Sequence, residues 1–231
     1  MTVHFPKNLS EAVALRRENP DTTVYLAGGT DDLRLGGAAE GKDLIDINGL
    51  ISTKIEVKDG RLYIGAGATL QKLIESPLVP AFIKEAAKFC ASFEKRNSAT
   101  VGGNLGLRRD DSYLGAALCA AQAELICLRC DGEKTREVYD YLTSDCKCLI
   151  EYIVIDADRT GWVKRFGNTV SSHATLIAAV SGDVYALSVH GSSLACGKTP
   201  ELYEGMTFTD DLTGSADYKK YLAKTVFTLR R

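Results

Sequence analysis

The sequence predicts an α+β fold of two subdomains and a small C-terminal region, with a ligand-binding cleft between the subdomains. Three observations support this prediction. Short β-rich runs alternate with a helical segment in residues 1–53, hairpin patterns begin at residue 54, and each part carries a glycine-rich segment. Because βα units give parallel strands and hairpins give antiparallel ones, we expect separate sheets, and the space between such units commonly binds ligands.

Residues 1–53 form the predicted first subdomain. An apolar stripe that Ser10 can cap predicts a helix over 9–19, which the Asn19-Pro20 pair ends. The β-rich run 22–27 then leads directly into a Gly-Gly pair, and 44–47 supplies a second strand. We therefore expect the first glycine-rich segment to follow the end of a strand.

Residues 54–156 form the predicted second subdomain. Alternating apolar residues on both sides of Asp59-Gly60 predict a hairpin over 54–65. Further helices and strands follow from the period of the apolar residues and from the turn residues between them. The helices are expected over 69–76, 80–90 and 114–123, the strands over 123–130 and 149–156, and a short helix or ordered loop over 136–142.

Residues 157–231 form the predicted C-terminal region. A strand is expected over 162–166, and a hairpin with strands at 174–180 and 184–189 around a Ser-Gly-Asp turn. The last segment, 218–229, has the apolar stripe of an amphipathic helix. This region therefore adds a further antiparallel unit and one helix.

The composition excludes several classes of function. The chain has 231 residues, of which 45% are hydrophobic and 25% charged, and its net charge is −2. Since no basic run interleaves with aromatic residues and no apolar stretch is long enough to span a bilayer, we expect neither nucleic acid nor membrane as a partner. The first residues lack the pattern of a secretory leader, and seven irregularly spaced cysteines argue against a disulfide framework. We expect a cytoplasmic protein with reduced thiols.

Two glycine-rich segments carry the functional prediction. The first reads Leu26-Ala27-Gly28-Gly29-Thr30-Asp31, and the second reads Ala99-Thr100-Val101-Gly102-Gly103-Asn104. A Gly-Gly pair lets the backbone approach a ligand and direct N–H groups at it, while Thr and Asn add side-chain donors. A single pair more often marks a tight turn, but two in one chain favour a long anionic ligand such as a dinucleotide. The carboxylates that follow the first pair would repel a phosphate, so a structural role is equally expected for them.

Cysteine and histidine residues suggest a second, weaker hypothesis. Cys127-x-x-Cys130 and Cys146-x-Cys148 have spacings seen in zinc and iron–sulfur sites. Because residues three apart on a strand point to opposite faces, we favour ordinary thiols and predict no metal site. His173 and His190 lack the partners of a nucleophilic site, so we expect structural roles for them and no catalytic residue.

The motifs together resemble the FAD-binding medium subunits of the molybdenum hydroxylases, which include xanthine dehydrogenases, aldehyde oxidases and carbon monoxide dehydrogenases. The resemblance runs nearly end to end and extends to short flavin subunits encoded with purine or xanthine hydroxylases. It is specific because several weak motifs occur in the family's order and spacing. They are Leu26–Asp31, Leu44–Ile47, Ile64–Thr69, Arg96–Leu105 and Asp211–Lys220.

The resemblance implies a fold of the vanillyl-alcohol-oxidase (PCMH) type and FAD as the cofactor. In that family, FAD accepts electrons from a [2Fe-2S] small subunit and passes them to NAD⁺ or another acceptor. The substrate is oxidised at molybdopterin on a large subunit, so both other cofactors are expected on partner chains. Residues 1–53 and 54–156 would be the two FAD-binding subdomains, and 157–231 the C-terminal flavoprotein region.

The resemblance also implies a set of cofactor-binding residues. The family places an Asp nine residues after the second glycine-rich segment, where this chain has Tyr113; Asp110 and Asp111 either substitute for it or that contact is missing. Arg108-Arg109 favours phosphate or forms a solvated face. The expected cofactor-binding residues are Leu26, Ala27, Gly28, Gly29, Thr30, Asp31, Thr100, Gly102, Gly103, Asn104, Asp110, Asp111, Ile150 and Arg165.

Two members of this set, Arg165 and Ile150, can also be interpreted as residues with a structural role and no contact with the cofactor. Arg165 aligns with a Lys that relatives place near the flavin ring, where a cation stabilises the reduced flavin, but it could also be a surface charge. Ile150 matches a position that packs on the cofactor, although an apolar strand residue more often belongs to the core.

Two rival functions remain open at this point. The chain could keep the fold without FAD as a structural subunit, which the Tyr113 departure would allow. Alternatively, it could be a stand-alone FAD oxidoreductase, although the sequence offers no obvious substrate-activating base and no covalent flavin attachment motif.

Overall fold

The computed structural model describes residues 1–90, 92–129, 132–145, 148–169 and 172–228. Its first sheet is parallel and has the order β1-β3-β2. The Asn8 side chain, and not Ser10, caps the helix of this part by accepting a hydrogen bond from the Glu11 N–H. The elements are β1 (Val3–His4), α1 (Leu9–Glu18), β2 (Thr23–Leu26) and β3 (Asp43–Asp46).

The second sheet is antiparallel and has five strands. Its order is β4-β5-β8-β6-β7, where the strands are β4 (Ile55–Lys58), β5 (Arg61–Gly65), β6 (Glu124–Arg129), β7 (Gly132–Glu137) and β8 (Leu149–Asp156). The predicted hairpin turn is confirmed, since Asp59 and Gly60 have φ of 50° and 75°, which suits an Asp-Gly pair. The expected helix or loop over 136–142 is wrong in its first two residues, which belong to β7. That strand lies at the sheet edge and is almost wholly exposed, so its sequence lacks apolar alternation.

Six helices accompany this sheet: α2 (Leu70–Glu75), α3 (Ala81–Lys88), α4 (Phe93–Ser98), α5 (Val101–Gly106), α6 (Tyr113–Ala120) and α7 (Val138–Thr143). Helix α6 is buried on nearly all sides, as its small apolar residues predict. The second glycine-rich segment is not a loop, because Gly102 and Gly103 lie in the first turn of α5. Glycine disfavours helix, so the sequence gives no sign of this short helix.

The third sheet is antiparallel, with the order β12-β11-β10-β9. The predicted strand and hairpin are confirmed, and the C-terminal helix begins two residues earlier than expected, where Ser215 caps it. The elements are β9 (Trp162–Phe166), β10 (Leu176–Ser181), β11 (Val184–Val189), β12 (Ala195–Gly197), a 3₁₀ turn (Leu202–Gly205) and α8 (Ala216–Thr225). The helix also ends earlier than the expected Leu229: its last residue is Thr225, and 226–228 form a turn, while Leu229 itself lies outside the described residues.

One hydrophobic core joins the three sheets. It contains Ile45 from the first sheet, Leu62 and Ile153 from the second, and Ile177 from the third, all fully buried. A smaller cluster lies under α8. Within the described ranges, no helix is both long and apolar enough to cross a membrane. The shared core fixes the glycine-rich segments relative to each other.

Candidate functional site

A cavity of about 710 Å³ lies between the end of β2, the start of α5 and the segment that leads into α6. Both glycine-rich segments contribute to its wall. The predicted cofactor-binding residues that line it are Ala27, Gly28, Gly29, Thr30, Asp31, Thr100, Gly102, Gly103, Asn104, Asp111 and Ile150. The fold therefore brings most of the predicted set to one concave surface.

The first glycine-rich segment crosses the end of α4 at very short range. A Cβ added to Gly28 would lie 2.0 Å from the backbone oxygen of Ser98, which no side chain can tolerate. Gly29 has a φ of 63°, in the left-handed region that favours glycine. Each glycine is thus required for a different reason, one for space and one for backbone conformation.

The backbone donors of this first segment are available. Among the described residues, the N–H groups of Gly28, Gly29 and Thr30 donate to no other residue. All three residues line the cavity. Successive N–H groups of this kind form a favourable place for an anion, because each can donate to it without breaking an internal hydrogen bond.

The second glycine-rich segment has its donors occupied. The N–H groups of Val101 and Gly102 donate to the carbonyl oxygens of Ala68 and Ala66, at 2.9 and 2.8 Å. The N–H of Gly103 donates to the Thr100 hydroxyl oxygen at 3.1 Å, which caps α5. This segment can therefore contact a ligand through side chains and through the exposed surface of Gly103, but not through these three backbone donors.

Asn104 provides the missing polar group of the second segment. Its side-chain oxygen is buried and has no hydrogen-bond partner among the described residues, although it lies at the cavity wall. A buried polar atom without a partner costs free energy, typically on the order of 1–3 kcal/mol. This atom is therefore suited to accept a hydrogen bond from a bound ligand.

Three predicted residues lie outside the cavity wall. Leu26 ends β2, and its carbonyl accepts a hydrogen bond from the Ile47 N–H at 3.0 Å. The Asp110 carboxylate accepts a hydrogen bond at 2.8 Å from the N–H of Gly191, in the turn that follows β11. Asp110 therefore holds two parts of the protein together and lies outside the cavity wall, and its substitution for the family's Asp stays a prediction.

Arg165 is the third of these residues. Its guanidinium donates hydrogen bonds to the carbonyl oxygens of Thr169 and Ser172. The guanidinium carbon lies 6.0 Å from the ring centroid of Tyr113, and that ring lines the cavity. Arg165 is thus neither a solvated surface charge nor a wall residue, but lies behind an aromatic side chain of the wall.

Arg109 connects the two sides of the cavity. Its guanidinium donates two hydrogen bonds to the Asp111 carboxylate, at 2.7 and 3.1 Å, and lies 3.8 Å from an oxygen of Asp31. Burial alone would raise the pKa of Asp111, but the hydrogen bonds and charges of Arg109 and His173 hold it below its usual value. Asp111 is therefore ionised and already paired within the protein.

Arg108 and Tyr141 form a second cationic corner of the wall. Arg108 has a φ of 48°, and its guanidinium carbon lies 4.3 Å from the centroid of the Tyr141 ring. Burial raises the pKa of Tyr141 to about 12, although Arg108 opposes this shift. The sequence offers the Arg108-Arg109 pair as the signal for this corner, but nothing local predicts that Tyr141 completes it.

Of the four cysteines in the hypothesis of a metal site, two lie in the part of the chain that the structure describes. Cys127 and Cys148 are buried, and Cys148 lies at the cavity wall. Cys130 and Cys146 lie outside the described residues. The wall also includes Lys95, which the sequence does not single out, and His173, for which the sequence predicts a structural role and no ligand contact. Neither belongs to a local motif, so only the folded chain identifies them.

Comparison with known proteins agrees with this architecture. The family model described as the FAD-binding domain in molybdopterin dehydrogenase matches residues 1–155. The protein YgfM of Escherichia coli (strain K12) is 28% identical to this chain in an alignment 239 residues long. The alignment covers 94% of this chain and 90% of YgfM. The carbon monoxide dehydrogenase medium chain of Hydrogenophaga pseudoflava is 26% identical over 264 residues, covering 95% of this chain and 92% of its own length.

A solved structure supports the fold independently. A chain of the Cu,Mo-CO dehydrogenase superposes with a TM-score of 0.84 at 19% identity, covering 97% of this chain and 94% of that chain. The α+β fold expected from the sequence is confirmed, and so is the resemblance drawn from its motifs. FAD is accordingly the cofactor of this fold. The chain belongs to the family of FAD-binding domains of molybdopterin dehydrogenases.

Proposed function

We propose that this chain is the FAD-carrying electron-transfer subunit of a heteromeric molybdopterin hydroxylase. Its family and its similarity to a carbon monoxide dehydrogenase medium chain support this proposal. One observation carries it: Gly28, Gly29 and Thr30, whose N–H groups donate to no described residue, line the same cavity as Asn104, whose side-chain oxygen has no partner among the described residues. The site thus combines donors for the phosphates of a dinucleotide with an acceptor for one of its hydroxyl groups.

The residues present fit FAD on this evidence. We assign the pyrophosphate to the N–H groups of the first glycine-rich segment, because they are backbone donors without internal partners. The Asn104 oxygen is an acceptor, so it suits a ribose or ribityl hydroxyl better than a phosphate. Arg108 and Arg109 add positive charge to the wall, and Ile150 adds apolar surface.

When bound, FAD supplies two-electron storage and one-electron exchange, which the protein tunes by binding and electrostatics. The task of this chain is therefore to hold the cofactor and to limit its access to water. No acid or base on this chain is needed for electron transfer, and we assign no catalytic residue. Tyr113, with Arg165 behind it, is placed to fix one side of the cofactor pocket.

The remaining features of the function belong to the complex. We propose a [2Fe-2S] small subunit as electron donor and a molybdopterin large subunit as the site of substrate oxidation. We further propose a purine or xanthine type of substrate, NAD⁺ as the acceptor, and a cytoplasmic location consistent with reduced thiols. The motif resemblance to short flavin subunits of purine hydroxylases supports the substrate class.

The decisive experiment is to purify the chain, record its visible absorbance, and identify the chromophore released on denaturation by mass. Asn104→Ala should weaken FAD binding about fivefold, since one buried hydrogen bond is worth about 1 kcal/mol. Asn97→Ala is the matched control, because this exposed Asn lies on α4 and not at the cavity wall. Fluorescence titration of the flavin-free chain with FAD measures both affinities.

The outcomes separate the proposal from its rivals. Released FAD, with a selective loss in Asn104→Ala, supports the electron-transfer subunit. A colourless chain that binds no added FAD, alone or with its partner chains, would establish a flavin-less structural subunit. Substrate oxidation by the isolated chain at the rate of the complex would instead identify a stand-alone FAD oxidoreductase.

A further inference from the structure

Three metal-ligating side chains meet beside the cofactor cavity, although they come from distant parts of the chain. Asp111 precedes α6, His173 precedes β10 and His190 follows β11. One ligand atom from each of them lies within 4.8 Å of the others. Two histidines and one carboxylate are a common ligand set for divalent first-row metals, with further positions left for water. We infer that Asp111, His173 and His190 form a binding site for a divalent transition-metal ion of the Zn²⁺ or Fe²⁺ type.

The orientation of His190 supports this inference independently. Its Nδ1 lies 2.8 Å from an oxygen of Asp211, so the ring donates there and leaves Nε2 with a lone pair for a metal. Asp211 is in turn held by the Thr213 N–H at 2.7 Å and by the Lys219 ammonium. A carboxylate that fixes the second nitrogen of a histidine is the usual outer partner of a metal ligand.

The charges around the three ligands favour a cation. Three carboxylates belong to this network, those of Asp110, Asp111 and Asp211, whereas its cations are Arg109 and Lys219. Lys219 is fully buried, and its ammonium group donates to Asp211 and to the carbonyl oxygens of His190 and Thr209. Asp110 accepts its hydrogen bond from Gly191, the residue that follows His190 in the chain, so the network holds one more carboxylate than these two cations.

Arg109 determines what metal binding must change. Its terminal nitrogen lies 3.0 Å from His173 Nδ1 as well as 3.1 Å from Asp111, so this guanidinium neutralises the buried carboxylate when no metal is bound. A metal ion on Asp111 would take over that role and repel the guanidinium. Because Arg109 also lines the cavity, it would then turn toward an anion bound there. Metal binding should therefore strengthen FAD binding.

An ion can reach the site from solvent. The His173 side chain is 60% exposed and that of His190 is 29% exposed, while that of Asp111 is only 2% exposed. The buried carboxylate thus forms the inner wall and the imidazoles form the entrance. This arrangement leaves coordination positions on the outer side for water.

The test is a titration of the untagged, chelator-treated chain with Zn²⁺ and with Co²⁺, followed by calorimetry and by the visible Co²⁺ bands. We expect one ion per chain and Co²⁺ bands that indicate nitrogen ligands. His173→Ala and His190→Ala should each weaken binding at least about tenfold, and Asp211→Asn about tenfold to 100-fold. His4→Ala is the matched control, because His4 is the one remaining histidine of the three in the chain and lies on β1.

Two results would overturn the inference. One is wild-type protein that binds neither ion more tightly than His173→Ala, a variant whose exposed position makes misfolding a poor explanation. The other is binding that His4→Ala weakens as much as the other histidine variants do. The metal site does not depend on the electron-transfer proposal, because the titration detects the ion directly whether or not the chain retains FAD; only the expected effect on FAD binding rests on that proposal.

Discussion

The two glycine-rich segments look alike in the sequence but are built differently. In the first, the N–H groups of Gly28 and Gly29 have no partner among the described residues. In the second, those of Gly102 and Gly103 are hydrogen-bonded to Ala66 and Thr100 within a helical turn. A Gly-Gly pair therefore indicates that space or backbone freedom is needed, but it does not indicate which backbone donors face a ligand.

The difference assigns separate tasks to the two segments. The first can bind an anion through its backbone, whereas the second supports the cavity through helix α5 and contacts a ligand through Asn104. Substitutions in the first segment should thus affect both stability and cofactor binding. Those at the cap of α5 should act mainly on stability.

The largest effect is expected for Gly28→Ala. The new methyl group would meet the Ser98 carbonyl, so the first segment must move, and the free energy of unfolding should fall by about 3 kcal/mol. Urea denaturation measures this change, and FAD titration should show weaker binding. In the matched control Gly106→Ala, the added Cβ has no neighbour within 4 Å, so stability should be unchanged or slightly raised. Equal stabilities would contradict the close crossing of the first segment over α4.

The next largest effect is expected for Tyr141, in the corner of the cavity wall that it forms with Arg108. Because burial raises the pKa of Tyr141 to about 12, the folded protein keeps this phenol protonated where the unfolded chain ionises. The unfolding free energy should therefore fall as the pH rises from about 10 to 12, and Tyr141→Phe should remove about 2 kcal/mol of that fall.

Chemical denaturation at several alkaline pH values measures this slope. Tyr221→Phe is the matched control, because the Tyr221 side chain is 63% exposed and should not change the slope. An alkaline slope that is identical in wild type and Tyr141→Phe would mean that Tyr141 is not buried behind Arg108.

The smallest effect is expected for Thr100→Val. The variant removes the acceptor of the Gly103 N–H, and the loss of a helix cap costs about 1 kcal/mol. Thr100→Ser keeps the hydroxyl and should restore most of the stability, as measured by thermal unfolding. If Thr100→Val instead abolished FAD binding with little change in stability, the Thr100 hydroxyl would be a cofactor contact and not mainly a cap.

Local sequence patterns predict much of this fold. Strands β8 and β9 have the predicted bounds, because their apolar runs are short and clearly delimited. Helix α5 could not be predicted, because the residues Gly-Gly-Asn have low helix propensity. In addition, the first turn of α5 depends on hydrogen bonds to Ala66 and Ala68, which are distant in the sequence. The three sheets lie in three successive parts of the chain, but the division at 53/54 and 156/157 stays a prediction.

The candidate site is predicted less completely than the fold. The glycine-rich segments are visible because glycine is informative by itself. The contact between Asp111 and His173 joins residues 62 positions apart, so no local pattern contains it. The sequence therefore led us to expect no metal site and only structural roles for His173 and His190. Only the packing of the C-terminal sheet against the α6 segment brings these side chains together.

The exposed edge of the five-stranded sheet has a consequence for aggregation. Strand β7 presents Glu133, Lys134, Arg136 and Glu137 to solvent or near it, at the position where an unpaired strand edge could recruit another chain. Charged side chains of both signs and the absence of apolar side chains oppose such edge-to-edge pairing. The chain should therefore resist association with a second copy through β7, even at high concentration.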